Sequence, residues 1–558
     1  MQHFNLMTRR GFFDRSLKIG LGVALSTLTD IPFVMKRALA EGTIGLNGKK
    51  LLFIFLRFGN DGLNSVIPIE DPVYALNRPK LGIPKSGTAP SDYYTTATGL
   101  MDDYTGMAGF PTEAIRGGNG FAALHPSLKY LAPVHNAGDL ALIHRVGYPK
   151  QSRSHFDSQI YWENGNPNNN VSKDGIFYRT LIESGLANTN PLTGVSIQSA
   201  LPLLLRGSDA AMTNLSDPNR FGLLGVPNNT AGQFKATNNI VAANGFASPN
   251  KRSRELLGLQ YQNLNKALNE FAQGIDFSEG NGTTTGNKFR DTDPGATNGY
   301  YLFPTTNAKN GTGAVSGYVV DTGAYNFFNS LKAAAQILNK TDAIIAGTEL
   351  GGFDTHNSQI INNTNLGTYD VFNGDHAKLQ KRIAWAIYGL RKYFQLNADR
   401  ATWDNTVVVT LSEFGRTSAE NGTFGTDHAE AGPMFVAGGG VKGYGKASRT
   451  TGIFGCHTSD TYNGNSVPWI KGIPGLNGNN KNGSMFGVST SYLKRSVDYR
   501  SVLGEIIRDH LGATQPQLDR IIPAYAIAGQ KLKNGGATTN STTDKTDGTT
   551  IAGELDLV

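Results

Sequence analysis

Apolar and polar positions alternate along this chain in two different rhythms. Continuous apolar runs occur at 48–58 (GKKLLFIFLRF), Leu140–Val146, Ala343–Leu350, Val407–Leu411 and Met434–Ala437. Each is short and bounded by polar turn residues, which predicts strands buried on both faces, the habit of a parallel sheet. Shorter strands are predicted at Gly194–Ile197 and Leu201–Leu205. Between these runs the spacing becomes helical. Helices are predicted around 125–135, from Ser154 onward with Phe156, Ile160 and Trp162, from about Arg252 to Gly274, over 325–339, from about His376 to Phe394, and from about Asp498 to Leu511. Strands alternating with helices predict an α/β fold, a mostly parallel sheet sandwiched between helices.

Two stretches lack either rhythm. Residues 278–324 are rich in Gly, Asn and Thr and predict a loop-rich insertion, part of a wider region at about 206–324. From Asn534 the chain has little to bury, which predicts a disordered tail over 534–558. Residues 41–533 then form one large domain. No internal repeat is visible.

Composition changes the picture at three points. The 558 residues carry 51 basic and 44 acidic side chains, a formal +7. Six of the bases and two of the acids fall in residues 1–40, so the remainder is only +3. Without a clustered Lys/Arg stripe, this charge does not indicate a nucleic-acid partner. The lone cysteine, Cys456, excludes an intrachain disulfide and a thiolate metal cluster. The N-terminus reads as a leader: Thr8-Arg9-Arg10-Gly11-Phe12-Phe13, a weakly apolar Ile19–Leu28, then Ala38-Leu39-Ala40. That arrangement over 1–40 predicts twin-arginine export to the periplasm or beyond, with the export machinery as a partner. No stretch reaches the roughly 18 apolar residues of a permanent membrane anchor.

The chemistry-bearing residues gather just after the predicted strands. Asp61 lies in a tight turn, Gly59-Asn60-Asp61-Gly62, after the first. Gly351-Gly352-Phe353-Asp354-Thr355-His356 follows the run Ala343–Leu350, and an i,i+2 pair in an extended segment points both side chains one way. Ser412-Glu413-Phe414-Gly415-Arg416 follows the next, and Asp427-His428 lies in the loop beyond. Ligands in open α/β sheets bind outside the carboxyl ends of the strands. Asp, Glu and neutral His are the ligand set of Zn²⁺ and its neighbours. Asp61, Asp354, His356, Glu413, Asp427 and His428 are therefore candidate ligands for one or two divalent cations (Zn, Ca, Mg or Mn). Ser154 stands at a helix start, where it is read either as a cap or as a nucleophile. Arg57, Arg153 and Arg416 are candidate clamps for a phosphate or sulfate.

Taken in order, the pieces LLFIFLRFGNDGLNSVIP, LHPSL, GYPKQSRSHFDSQIYWENG, GGFDTHNSQ, TVVVTLSEFGRTSAENGTFGTDH and VAGGGVKG resemble an exported family of unknown function with a twin-arginine leader, within the alkaline phosphatase/sulfatase superfamily. The resemblance covers most of 48–530 and implies an alkaline phosphatase-like fold. It implies that Asp61 bridges metals, that Ser154 is the nucleophile, that Asp354 and His356 hold one metal, and that Glu413, Asp427 and His428 hold the other or the same one. The chain departs from the superfamily in its strand-end Ser-Glu-Phe-Gly and in lacking the Cys/Ser-x-Pro-x-Arg signature of sulfatases.

These residues predict a metal-dependent hydrolase of phosphate or sulfate esters, acting on a small-molecule or glycan ester. In it Ser154 attacks, and His155 or Arg416 supports the anion. The contrasting expectations are a non-catalytic exported binding or surface scaffold, whose donors only hydrogen-bond one another, and a phosphoryl-transfer or isomerase activity on a sugar.

Overall fold

The computed structural model describes residues 44–85, 113–187, 192–217, 230–243, 275–278, 290–291, 300–306, 320–363, 368–474, 485–486, 492–539 and 548–558, with single positions at 226 and between 258 and 269. The leader (1–40) and most of the helix predicted from Arg252 to Gly274 lie outside the described residues.

A nine-stranded sheet organises the domain. Its strands are β1 (Lys50–Leu56), β2 (Leu140–Gly147), β3 (Gly194–Ile197), β4 (Thr213–Leu215), β5 (Ile345–Leu350), β6 (Thr406–Ser412), β7 (Gly432–Ala437), β8 (Ile453–Phe454) and β9 (Val497–Asp498). They run in the order β8-β2-β7-β6-β1-β5-β3-β4, with β9 also on β2. β7 pairs antiparallel with β6 and β2; the other pairings are parallel. β2 therefore runs parallel to β6 across the reversed strand.

The apolar runs are continuous because both sheet faces are covered. In β1, Leu52, Ile54 and Leu56 enter one core and Leu51, Phe53 and Phe55 the other. The first core packs against α3 (Tyr325–Lys340) and α4 (Asp375–Leu396), through Phe328, Leu331, Trp385 and Ile387. The second packs against α2 (Ile176–Glu183), α5 (Tyr499–Glu505) and α6 (Gln515–Ile521), through Phe177, Leu181, Val502 and Leu518. The helix α1 (His155–Asn164) follows β2. The fold is thus mixed α/β with a mostly parallel central sheet. No helix among the described residues is long and apolar enough to cross a membrane.

Three expectations are corrected. Leu201–Leu205 is no strand: Pro202 lacks a backbone donor, and Leu203–Leu205 forms a tight 3-10 turn instead. The region read as an insertion gives the sheet its edge strand, Thr213–Leu215, and sends Tyr300, Leu302 and Phe303 into the core with Trp385. The tail is ordered over 548–558. Thr550–Ile551 pairs with Gly536–Ala537, Leu555 and Leu557 are buried, and the Leu555 N–H donates to the buried Glu505 carboxylate at 2.9 Å. Two leucines with somewhere to pack outweigh the polar composition around them.

Candidate metal centre

Because β6, β1 and β5 are adjacent and parallel, their carboxyl ends lie side by side, and β2 ends on the same edge. Four segments therefore meet there: 57–64 after β1, 351–356 after β5, 413–428 after β6, and 148–155 leading from β2 into α1. Glycine lets them close up. A side chain at Gly59, whose φ is +85°, would stand 2.7 Å from the Phe414 ring. One at Gly425 would lie 2.3 Å from the His356 carbonyl.

Three imidazoles converge on one carboxylate oxygen. Asp354 Oδ1 lies 3.2 Å from His356 Nε2, 3.4 Å from His428 Nε2 and 3.6 Å from His155 Nε2. The Nε2 atoms of His356 and His428 are 2.9 Å apart. Each ring is held from behind by its Nδ1. His356 donates to Asp427 Oδ1 at 2.8 Å, His428 to the Arg153 carbonyl at 2.9 Å, and His155 to Glu413 Oε2 at 2.6 Å. Carbonyls and carboxylates accept, so the proton sits on Nδ1 and the Nε2 lone pairs face inward. This is the tautomer in which histidine ligates a metal, with the outward N–H on a carboxylate or carbonyl.

The rest of the site supports that reading of the donors. Two lone pairs 2.9 Å apart repel unless a cation or proton lies between them. The His155 Nε2 is buried with no hydrogen-bond partner, as is Glu413 Oε1. The ligand atoms of His155, Asp354 and His428 all lie within 4.8 Å of one another. Metal–nitrogen bonds of 2.0–2.1 Å at tetrahedral angles set donor atoms about 3.3 Å apart, close to the spacings around Asp354 Oδ1. The donor atoms of His155, His428 and Asp354 thus fit one divalent cation, with His356 beside His428 and with Asp427, Glu413 and the Arg153 carbonyl orienting the rings.

Charge and burial tune the groups. Burial raises the Asp354 pKa, but the Arg416 guanidinium, 2.8 Å from Oδ1, and the neighbouring imidazoles hold the carboxyl below its ordinary value. Burial likewise opposes ionisation of Asp427, and the His356 and Asn421 hydrogen bonds bring it below the usual range. Burial, then Arg416, lowers the His428 pKa and keeps that ring neutral. Burial raises the Glu413 pKa, with the His155 bond opposing.

The structure distributes the predicted residues over four roles. Asp354, His356 and His428 are brought together. Glu413 and Asp427, expected as ligands, stand one layer behind as acceptors for ring N–H groups. Asp61 is placed elsewhere. Its fully buried carboxylate takes Arg78 at 2.5 and 3.0 Å, Gln359 at 2.6 Å and the Leu63 N–H at 3.1 Å, leaving it saturated. Arg416, expected beside the anion, is spent on the fold. Its donors reach the carbonyls of Gly59, Thr426, Phe353 and Phe58 besides Asp354. Arg57 is likewise taken, by Glu349 at 2.7 Å and Glu163 at 2.9 Å. Ser154 caps α1, its Oγ accepting one long bond, 3.4 Å, from the Asp157 N–H, and it is exposed.

His155 is the candidate ligand that sequence reasoning assigned otherwise. Its signal is the Glu413 carboxylate 258 residues away, which no local pattern reveals. Arg78 and Gln359, the partners that remove Asp61 from the centre, have no local signature either.

No curated protein and no solved structure matches this chain. One family profile does, over residues 48–458, and its description reads "Protein of unknown function (DUF1501)". The match spans eight of the nine strands of the sheet, all but β9, with all four site segments and every residue of the His/Asp cluster. The chain belongs to that family.

Proposed function

We propose that the protein is an exported, metal-dependent hydrolase of phosphate or sulfate esters, built on an alkaline phosphatase-like version of its mostly parallel sheet. The observation that carries the reading is the convergence of three imidazole Nε2 atoms on Asp354, each ring fixed through Nδ1. A divalent cation held there would polarise the ester oxygens and lower the pKa of a water molecule. The chain's own groups do the rest. Arg416 fixes Asp354, Glu413 and Asp427 hold the rings in the ligating tautomer, and the first turn of α1 presents free N–H groups toward an anion. Ser154, exposed at the head of that helix and next to His155, is the nucleophile in this reading. The twin-arginine leader delivers the folded, loaded protein across the membrane.

One observation favours the scaffold reading: Arg57 and Arg416 are consumed by internal partners, so neither guanidinium is left to grip an anion. The deciding experiment is elemental analysis of the leader-cleaved protein beside His356→Ala, followed by turnover of 4-nitrophenyl phosphate and sulfate. About one equivalent of metal in the wild type, its loss in His356→Ala, and turnover abolished by Ser154→Ala with metal retained are expected. No metal after expression with Zn²⁺, Mn²⁺ and Ca²⁺ present overturns the hydrolase.

A further inference from the structure

A cavity of ≈ 730 Å³ opens along the carboxyl ends of β3, β4 and β5, the edge that also carries the His/Asp cluster. Its volume lies within the range of about 300–1,000 Å³ usual for small-molecule sites. Hydroxyls and amides dominate the wall: Gln198, Ser199, Asn326, Ser330 and Thr348 line it, along with Glu349 and Gly351. Gln198, in that lining, has a buried side-chain carbonyl with no hydrogen-bond partner, an acceptor that a small turn of the amide would offer to the cavity.

Phe58 joins this cavity to the cluster. Its ring is 39 % exposed, unusual for a phenylalanine beside a packed sheet edge. It stands edge-on to the His155 ring, centroids 5.4 Å apart. Its Cε2 lies 3.9 Å from where a side chain on Gly351 would begin, and Gly351 lines the cavity. The backbone is left-handed at Phe58, φ 81°, which a bulky residue adopts only when its surroundings impose it. The structure thus keeps an apolar platform between the cluster and a polar chamber.

Charge narrows the ligand. The cavity arginine, Arg382, is paired with Asp321, its Nε 3.0 Å from Oδ2. Glu349 shares the single cation of Arg57 with Glu163. Asp217 adds another acid to the lining. The chamber offers hydroxyls, amides and carboxylates, and its lining arginine is already paired, so a polyanionic body finds no open guanidinium there.

We infer that this cavity and the Phe58 ring bind the body of the substrate, and that this body is a neutral polyhydroxylated chain, a glycan, carrying its ester toward the His/Asp cluster. A sugar ring has the matching surface: an apolar C–H face for Phe58 and a rim of hydroxyls for Gln198, Asn326 and Thr348. Its description as substrate rests on the hydrolase reading; the binding itself does not.

The test is calorimetric titration of the protein as purified, metal content recorded, with neutral β-1,4-glucan, α-1,4-glucan, xylan and chitin oligosaccharides, and with a heparin oligosaccharide as the polyanion. Saturable binding of at least one neutral oligosaccharide without binding of heparin is expected. At least tenfold weaker binding is expected in Phe58→Asn, where asparagine tolerates the left-handed backbone, and in Gln198→Met, with metal content unchanged in both. Heparin binding preferred over every neutral chain, no neutral chain bound, or neutral binding unaffected by both substitutions each overturns the inference. Glycan binding by a protein that holds no metal would keep the inference and remove the hydrolase, so the two failures are told apart.

Discussion

Two aspartates sit at neighbouring positions on this sheet and are put to opposite uses. Asp61 follows β1 and Asp354 follows β5; both turns are glycine-flanked, and each carboxylate meets a buried arginine. Asp61 is 1 % exposed, and its two oxygens accept two bonds from Arg78, one from Gln359 and one from a backbone N–H. The Asp354 side chain is 45 % exposed, and its arginine gives it a single bond while three imidazoles crowd the same oxygen. A carboxylate at a sheet edge is closed when fixed donors fill its lone pairs and open when its neighbours are themselves lone-pair bearers. Donor count and exposure, not position after a strand, separate the two.

That contrast breaks or holds under four measurements. Acid gives the largest effect, and three of the buried histidines behind it lie on the Asp61 side. His125, His144 and His376 are buried, and burial lowers their pKa values to about 3, about 3 and about 4. Unfolded histidine titrates near 6.5, so below that pH the unfolded chain binds protons that the folded chain refuses. Their stability contribution is complete above pH 6.5 and drains as pH falls toward 4, at up to roughly 4 kcal/mol per pH unit for three groups. Urea midpoints followed from pH 7 to pH 4.5 should fall steeply, and a flat profile would remove the closed character of that region.

Next is Arg78→Met, which leaves Asp61 buried and unpaired. It should lose about 3–5 kcal/mol of unfolding free energy in urea melts. Metal content per folded molecule should not change. Glu413→Gln and Asp427→Asn, which disturb the rings from behind, should weaken metal affinity about 10- to 100-fold in chelator competition while barely moving the urea midpoint. If either substitution unfolds the protein and spares the metal, the open region has been misassigned. Ser154→Ala is smallest. Its long cap bond predicts a loss near the low end of the cap range, about 0.5–1 kcal/mol, read from thermal melts, with metal retained.

The sheet was far more legible than the site. Runs such as Leu51–Leu56 and Val407–Leu411 declare themselves because both faces are covered, and burial on both faces erases the polar alternation of an ordinary strand. Asp354 and His356 stood out as donors because a spacing of two sets them in one turn, and His428 because it adjoins Asp427 in a Gly-rich loop. Glu413 and Asp427 were visible as donors but not as supports, since whether a carboxylate touches a metal or a ring N–H depends on ångströms that spacing does not encode. Asp61 was read as a ligand because Arg78, its partner, comes from a stretch with no rhythm of its own. The tail went unread because Leu555 and Leu557 are two apolar residues in a polar segment, and their receiving surface belongs to α5 and its neighbours.

The bond between His428 and the Arg153 carbonyl joins residues 275 apart in the chain. A chain emerging from a ribosome therefore has no centre to load until residue 428 is out, however early β1 and β2 have been made. Its histidines exist for most of synthesis as separate, weakly attracting side chains, because the loops between them must close before their lone pairs can cooperate. If the centre takes a metal as proposed, loading is an event of the finished domain, and a truncated product would carry the sequence of the site without its affinity.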